Sequence, residues 1–417
     1  MTTRMDPEAG AGRRIAARGA ILLSFVVAFE IIIMISPFAL FFYSVFNPIL
    51  LTLNRWSATR WLTAFFLPHM IVPPDAALMT IRLLGSVLFV LGLAAFVICA
   101  IQVYASKALK SGPVRRGLYA VIRHPQYVAL ACAALGLAIM WPRFLTLVLL
   151  AVMLFLYYLL AKDEERRMLA RYGDSYREYL KRTGMFLPRA LEALWRADER
   201  VERPVTAAKG LAIVLALLGV FLGIGFALRA YTVRHLPLQT EEDIDLIGIT
   251  AEDAAAGAQL LGSIRRDPAV ASRLHAASPA PGARILAYVI PIDYAMQGMI
   301  ADTGDEWKLF MQHKTIGMIA EYVLHPTAHL TEGHAGHAGL PAEGMSMHDS
   351  PAMKRRIIFI EVSSAAGPLA SPRDDFGIGV KRRPLFFVDA HLHTGEVLGV
   401  KDIPLGSGWG TVPTPVF

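Results

Sequence analysis

The stretch that decides the fold is YVALACAALGLAIMWPRFLTLVLLAVMLFLYYLLA, residues 127–161, which is apolar apart from WPR at 141–143. As a single helix it would be about 50 Å long, well beyond the roughly 30 Å of hydrocarbon in a bilayer. Proline cannot continue a helix without the loss of a hydrogen bond, and here it stands where the run divides. The sequence therefore predicts a membrane hairpin of two helices that turn at Trp141-Pro142.

Three further apolar runs, at residues 20–46, 77–104 and 209–230, are long enough to span a membrane. After residue 231 the hydropathy falls to that of an ordinary globular domain. We expect an α-helical integral membrane bundle of about five spans followed by a soluble α+β extracytoplasmic domain. The expected parts are a membrane domain at 1–208, a fifth span at 209–231 and the soluble domain at 232–417.

The charges divide the chain in the same way. Residues 1–231 hold 26 Lys and Arg against 13 Asp and Glu, whereas residues 232–417 hold 15 against 21. The cations of the first part lie before span one, after span two and after span four, while the loop at 47–76 has only two. The positive-inside rule then puts the N-terminus in the cytoplasm and residues 232–417 outside, across a bacterial inner membrane. Such cations indicate orientation, so no nucleic-acid partner is expected.

Two polar segments flank the hairpin: GLYAVIRHPQY at 117–127 and DEERRMLARYGDSYREYLKRTGMFLPR at 163–189. Because a hairpin returns the chain to the side from which it came, both segments should meet at one membrane surface. Taken singly, the cations could be membrane anchors, the glutamates a solvated helix start and the tyrosines an interfacial belt. Together they favour a pocket for a zwitterionic ligand, which the free N–H groups at the helix start behind Pro125 would also suit.

This combination resembles the isoprenylcysteine carboxyl methyltransferase and phospholipid methyltransferase family of integral membrane enzymes, over roughly residues 80–190. The matching elements are the glycine-to-tyrosine segment at 117–127, with its Arg-His-Pro, EERRMLARYGDSY at 164–176, and a basic and aromatic stretch from Lys181 to Pro188. The resemblance implies S-adenosylmethionine as methyl donor, bound without a Rossmann fold, and a lipid-like or prenylated acceptor. The acceptor atom stays open among carboxylate, amine, thiol and phenol.

The resemblance also implies the roles of individual residues. Arg123 and Glu165 are the candidates for holding charged groups of cofactor or substrate, and thus for catalysis. The candidates for binding the cofactor are Tyr119, His124, Pro125, Tyr127, Glu164, Tyr172 and Tyr176.

A second candidate site lies in the soluble domain, in HPTAHLTEGHAGHAGLPAEGMSMHDSPAM at 325–353. Imidazole and thioether groups without thiols suit copper, with zinc or nickel as alternatives, and a flexible loop without metal is the plainer interpretation. His391 and His393 would share one strand face and could add ligands. The predicted metal ligands are His325, His329, His334, His337 and His348.

The rest of the soluble domain predicts short helices within 241–280, a strand at 283–292, a helix at 307–325 and a strand at 355–364. A hairpin at 384–403 would turn at Thr394-Gly395. A domain of this kind outside the membrane could also bind a periplasmic protein.

Two other functions and two details of the bundle remain as expectations. The chain could be a copper- or zinc-handling membrane protein, or an NADPH-dependent membrane reductase with a similar Arg-His-Pro arrangement. Glu30 lies within span one, where Arg82 of span two could pair with it. Small residues at Gly219, Gly223 and Gly225 predict close packing of span five.

Overall fold

The computed structural model describes residues 47–109, 112–194, 205–277, 279, 281–294, 297, 300, 301, 353–365 and 367–404. They form two compact units. Within these residues, one unit comprises Leu88–Leu135 and Leu149–Leu218, and the other 47–87, 136–148 and the chain from Gly219 onward. The α-helices are α1 Asn47–Arg55, α2 Ala76–Ala108, α3 Pro125–Met140, α4 Phe144–Tyr172, α5 Asp174–Arg182, α6 Arg189–Glu192, α7 Ala207–Arg234, α8 Ala251–Ile264 and α9 Pro268–Ala276.

Three of these helices, α2, α4 and α7, are long and apolar enough to cross a membrane, with 33, 29 and 28 residues. The predicted hairpin is present as α3 and α4, which are separated by residues 141–143, although α3 is a shorter apolar helix of 16 residues. The first expected span, with Glu30, lies outside the described residues. Arg82 of α2 donates hydrogen bonds to the carbonyl oxygens of Ile71 (2.8 Å) and His69 (3.2 Å).

Small residues set the distance between α2 and α3. A Cβ atom at Gly92 would lie 2.5 Å from the nitrogen of Ala133 and 2.7 Å from the oxygen of Ala129, so only glycine fits there. The predicted packing of span five is confirmed only at Gly225, where a Cβ would lie 2.6 Å from Leu147. A Cβ atom at Gly219 or Gly223 would have no atom of another described segment within 4 Å, so no close packing is seen at these two positions. A small residue allows close packing but does not require it.

The second unit contains a six-stranded sheet in sequential order. Its strands are β1 Leu238–Glu241, β2 Ile244–Gly248, β3 Arg284–Pro291, β4 Lys354–Ser363, β5 Lys381–His391 and β6 Val397–Asp402. All neighbours are antiparallel except β2 and β3, whose parallel pairing requires the crossover that α8 and α9 supply. Alternate residues of β3 enter two cores: Ile285 joins α8 and α9, while Leu286 joins Met70 and Leu236.

The α+β prediction for this domain is confirmed for the strands at β3 and β4, the hairpin with Thr394-Gly395 in its turn, and the helices α8 and α9. The prediction of helices alone within 241–280 was wrong at β2, which lies inside that range. All five residues of β2 are buried, and a short continuous buried run has no periodicity that separates strand from helix.

The expectation that His391 and His393 share a strand face was also wrong. His391 ends β5 and is buried, whereas His393 lies in the turn beyond it. The Nδ1 atom of His391 accepts the backbone N–H groups of His393 and Thr394, each at 3.3 Å, so this imidazole holds the turn. The described residues contain no group of three or more His, Cys, Asp or Glu that could hold a metal. The helix expected at 307–325 and the five histidines at 325–348 lie outside them.

Candidate active site

The Arg-His-Pro segment is held in place by backbone pairing with a segment sixty residues further along. A 3-10 helix at Gly117–Ala120 leads into the segment, and α3 begins at Pro125. The N–H of Arg123 donates to the oxygen of Gly184 (2.8 Å), and that of His124 donates to the oxygen of Met185 (3.2 Å). These main-chain hydrogen bonds therefore fix the backbone positions from which the side chains of Arg123 and His124 project.

Glu192 in turn fixes the second of these segments. Its buried carboxylate accepts the N–H groups of Met185 (2.7 Å) and Phe186 (3.0 Å), which lie in the connection between α5 and α6. Sequence reasoning missed this residue, because a glutamate in a short polar helix carries no pattern that marks it as buried.

Arg123 and Glu165, the two predicted catalytic residues, lie against each other. The Nε atom of Arg123 donates to Oε1 of Glu165 at 2.5 Å, and its Nη1 atom donates to the carbonyl oxygens of Thr183 and Leu180. Their side chains are only 5% and 1% exposed. The guanidinium is thus surrounded by groups of the protein, which suits a positioning role.

His124 lies between two carboxylates. Its Nδ1 atom is 3.5 Å from Glu164, and its Nε2 atom is 3.5 Å from Glu165. Burial opposes the charged imidazolium, but the two carboxylates outweigh burial and raise the pKa of His124 to about 9. The cluster therefore balances two cations against two carboxylates, and Glu164, with its side chain 39% exposed, is the carboxylate that a ligand could reach.

Aromatic rings extend from His124 into the hairpin. The ring of Tyr127 stacks on His124 with centroids 5.6 Å apart, and Tyr157 of α4 stacks on Tyr127 at 5.1 Å. Phe186 lies on another side of the imidazole, at 6.0 Å. Tyr157 was not predicted, because an aromatic residue within a span has the pattern of an ordinary core residue. Phe186 lies in the polar segment at 163–189 but was not named as a site residue.

The other predicted tyrosines take different places. Tyr119 is buried, its hydroxyl donates to Gln126 (3.0 Å), and its carbonyl oxygen accepts the hydroxyl of Tyr179 (2.6 Å). Tyr176 is buried beside Tyr179, and burial raises the pKa of its phenol. Tyr172 is half-buried at the end of α4, and its described contact is with the guanidinium of Arg171, 5.4 Å from the ring.

The segment that carries this cluster matches a known protein family. The family model described as phospholipid methyltransferase matches residues 103–175. This segment is similar to the phospholipid methyltransferase family. The resemblance noted above is thereby confirmed, and the match favours a methyltransferase over a reductase. No curated protein and no solved structure matches the chain.

Buried polar atoms in and around the matched segment that make no hydrogen bond to the described residues include the hydroxyl of Tyr157 and Oε1 of Gln102. Buried polar atoms are nearly always hydrogen-bonded, so these two atoms are candidates for contact with water or a bound ligand. Donors, acceptors, stacked rings and an accessible carboxylate are the chemistry that fits S-adenosylmethionine, which carries a sulfonium, a carboxylate, an ammonium and an adenine.

Proposed function

We propose that this chain is a methyltransferase dependent on S-adenosylmethionine, of the isoprenylcysteine carboxyl methyltransferase type, with a lipid-like or prenylated acceptor. The observation that carries the proposal is the cluster of Arg123, His124, Glu164 and Glu165. These residues come from two segments at the open end of the hairpin of α3 and α4, and all four fall within the family match.

The residues proposed to hold the cofactor divide by chemistry. The imidazolium of His124 pairs with Glu164 and Glu165 and orients both carboxylates, and Glu164 offers its partly exposed carboxylate to a cationic group. The rings of Tyr127 and Tyr157 provide apolar and stacking surface beside them. When bound, S-adenosylmethionine would supply an electrophilic methyl group on sulfur.

The protein's contribution to such a reaction is positioning and electrostatics. With a pKa of about 9, His124 is protonated at neutral pH and cannot act as a base there. Arg123 cannot act as one either. For an acceptor that must lose a proton, Glu164 is the group of the cluster that solvent or ligand can reach. An acceptor that is already anionic would need no base.

We further propose that the cluster faces the cytoplasm and that the sheet domain lies outside, in a bacterial inner membrane. The support is the positive-inside rule, since cations gather around residues 107–123 and 166–182. A prenylated or lipid-like acceptor would then approach from the bilayer, and the cofactor would come from the aqueous side. The copper or zinc site in the histidine loop stays a prediction, because those residues are not described.

The proposal is tested by binding of radiolabelled S-adenosylmethionine to the detergent-purified full-length chain, with NADPH as the competing nucleotide. Glu164→Gln and His124→Gln should each weaken binding by about 10- to 100-fold, since each removes a charge-assisted contact. Glu178→Gln is the matched control, because Glu178 is an exposed glutamate of α5 whose described ion pair is with Lys181 on its own helix.

Transfer of the labelled methyl group to membrane lipids or prenylated peptides should likewise be reduced in Glu164→Gln and His124→Gln and unchanged in Glu178→Gln. Saturable binding of NADPH without binding of S-adenosylmethionine would overturn the proposal. Equal binding by Glu164→Gln and Glu178→Gln would overturn the site.

A further inference from the structure

A cleft lies in the second unit where α7 ends. Its volume is about 630 Å³, and one wall is a single face of α7. The rest of the lining comes from residues 364, 367–369, 373, 374, 376–378 and 380. The α7 residues that line it, at positions i, i+3, i+4, i+7 and i+8 of one helix face, are Phe226, Arg229, Ala230, Val233 and Arg234.

The length of α7 places this cleft at the edge of a bilayer. Lys209 and Arg229 are twenty residues apart with no charged residue between them. This separation corresponds to about 30 Å of helix, the thickness of the hydrocarbon layer. Arg229 therefore marks the hydrocarbon boundary, and Phe226 lies one turn inside it. Arg234 lies about 7 Å beyond Arg229, at the level of lipid phosphates.

The polar part of the cleft is cationic. Arg234 and Arg373 are exposed, and Arg373 donates to the carbonyl oxygen of Arg234 (3.2 Å), which fixes its side chain at the end of α7. The buried Arg229 donates to the carbonyl oxygens of Phe65 and Phe376. One carboxylate, Asp374, also lines the cleft.

The carboxylate of Asp374 is directed into its own turn. It accepts the N–H of Ser371 (2.7 Å) and the hydroxyl of the same residue (3.0 Å). These bonds occupy one oxygen of the acid, and with two exposed arginines against one carboxylate the rim has a net positive charge.

The floor of the cleft is apolar. Phe226 and Ile378 expose 44% and 39% of their surface, although both stand in a cavity whose rim carries arginines. A free inorganic anion would gain nothing from these two side chains. A phospholipid has a phosphate diester joined to acyl chains, and it would satisfy both parts at this depth.

We propose that this cleft binds one anionic phospholipid, with its phosphate against Arg234 and Arg373 and the start of its acyl chains on Phe226 and Ile378. The site is separate from the proposed methyl-transfer site and would hold whether or not the chain transfers methyl groups. Bound lipid would link the end of α7 to the 3-10 helix Pro372–Phe376 of the sheet domain.

The test uses the full-length chain in detergent micelles containing equal amounts of phosphatidylglycerol and phosphatidylcholine, with bound lipid counted by native mass spectrometry. The chain should retain phosphatidylglycerol preferentially. The double variant Arg234→Gln/Arg373→Gln should lose this preference by about tenfold or more, as expected for charge-assisted bonds to phosphate. Ile378→Asp should do the same by repulsion, without any change to an arginine.

The matched control is Arg55→Gln/Arg266→Gln, which removes two exposed arginines elsewhere in the same unit. Thermal unfolding of each variant in phosphatidylcholine shows whether it is folded. The proposal is overturned by equal loss of lipid in the control, or by wild-type protein that retains both lipids equally. It is also overturned if millimolar inorganic phosphate displaces the phosphatidylglycerol.

Discussion

Substitutions of Arg123 and Glu165 should show a large coupling free energy in a double-mutant cycle of protein stability. Arg123→Gln would leave Glu165 buried without its guanidinium, and Glu165→Gln would leave Arg123 without its carboxylate; the two side chains are 5% and 1% exposed. A break in such a buried pair costs about 3–5 kcal/mol in free energy of unfolding. The double variant leaves neither charge unpaired, so its cost should be at least about 2 kcal/mol below the sum of the singles.

The assay is denaturation in mixed detergent and SDS micelles, followed by circular dichroism, for wild type, the two single variants and the double. The control cycle is Asp163→Asn with Arg166→Gln, an exposed pair one turn apart on α4 at 2.8 Å. Its coupling should be about 0.5 kcal/mol or less. A coupling for Arg123 and Glu165 no larger than this control would refute the reasoning. In that case the guanidinium would be available to a ligand.

Three further predictions concern the site and the bundle. Because the pKa of His124 is raised to about 9, the protonated imidazole should stabilise the folded protein fully below pH 6.5, and this contribution should be lost as pH rises to 9. The difference in free energy of unfolding between wild type and His124→Gln, measured by thermal unfolding, should therefore shrink by about 2–3 kcal/mol over that range. Glu192→Ala leaves the N–H of Met185 without its acceptor and should lower stability by about 2–3 kcal/mol, whereas Glu192→Gln keeps one acceptor oxygen and should recover part of the loss, both measured by SDS denaturation. Gly92→Leu should prevent α2 and α3 from packing and reduce the yield of folded protein in detergent, while Gly219→Leu, with no described atom within 4 Å of a Cβ, should be tolerated.

Three of the five expected spans, α2, α4 and α7, could be predicted from the sequence because the bilayer fixes the length that an apolar run must have. The hairpin and its turn at residues 141–143 followed from that length and one proline. The packing of glycines could not be predicted, since a small residue allows a close approach but does not specify the neighbour. Gly92 and Gly225 meet other atoms, and Gly219 meets none among the described residues.

The candidate site also has parts that the sequence predicts and parts that it does not. Arg123, His124, Glu164 and Glu165 could be named in advance, because their side-chain chemistry is specific and two segments on one membrane surface must meet. The backbone pairing that holds them could not be named, since every residue has an N–H and a carbonyl group. Glu192 escaped notice because its partners are main-chain atoms.

The backbone pairing with residues 184–185 has a consequence for the transfer of this site to other proteins. The family match ends at residue 175, yet Gly184 and Met185 hold the motif, and Glu192 holds Met185. The portable unit is therefore longer than the family segment and extends at least to Glu192. A chimera joined at residue 175 would carry the signature residues but not the main chain that orients them, whereas a junction after Glu192 would retain both.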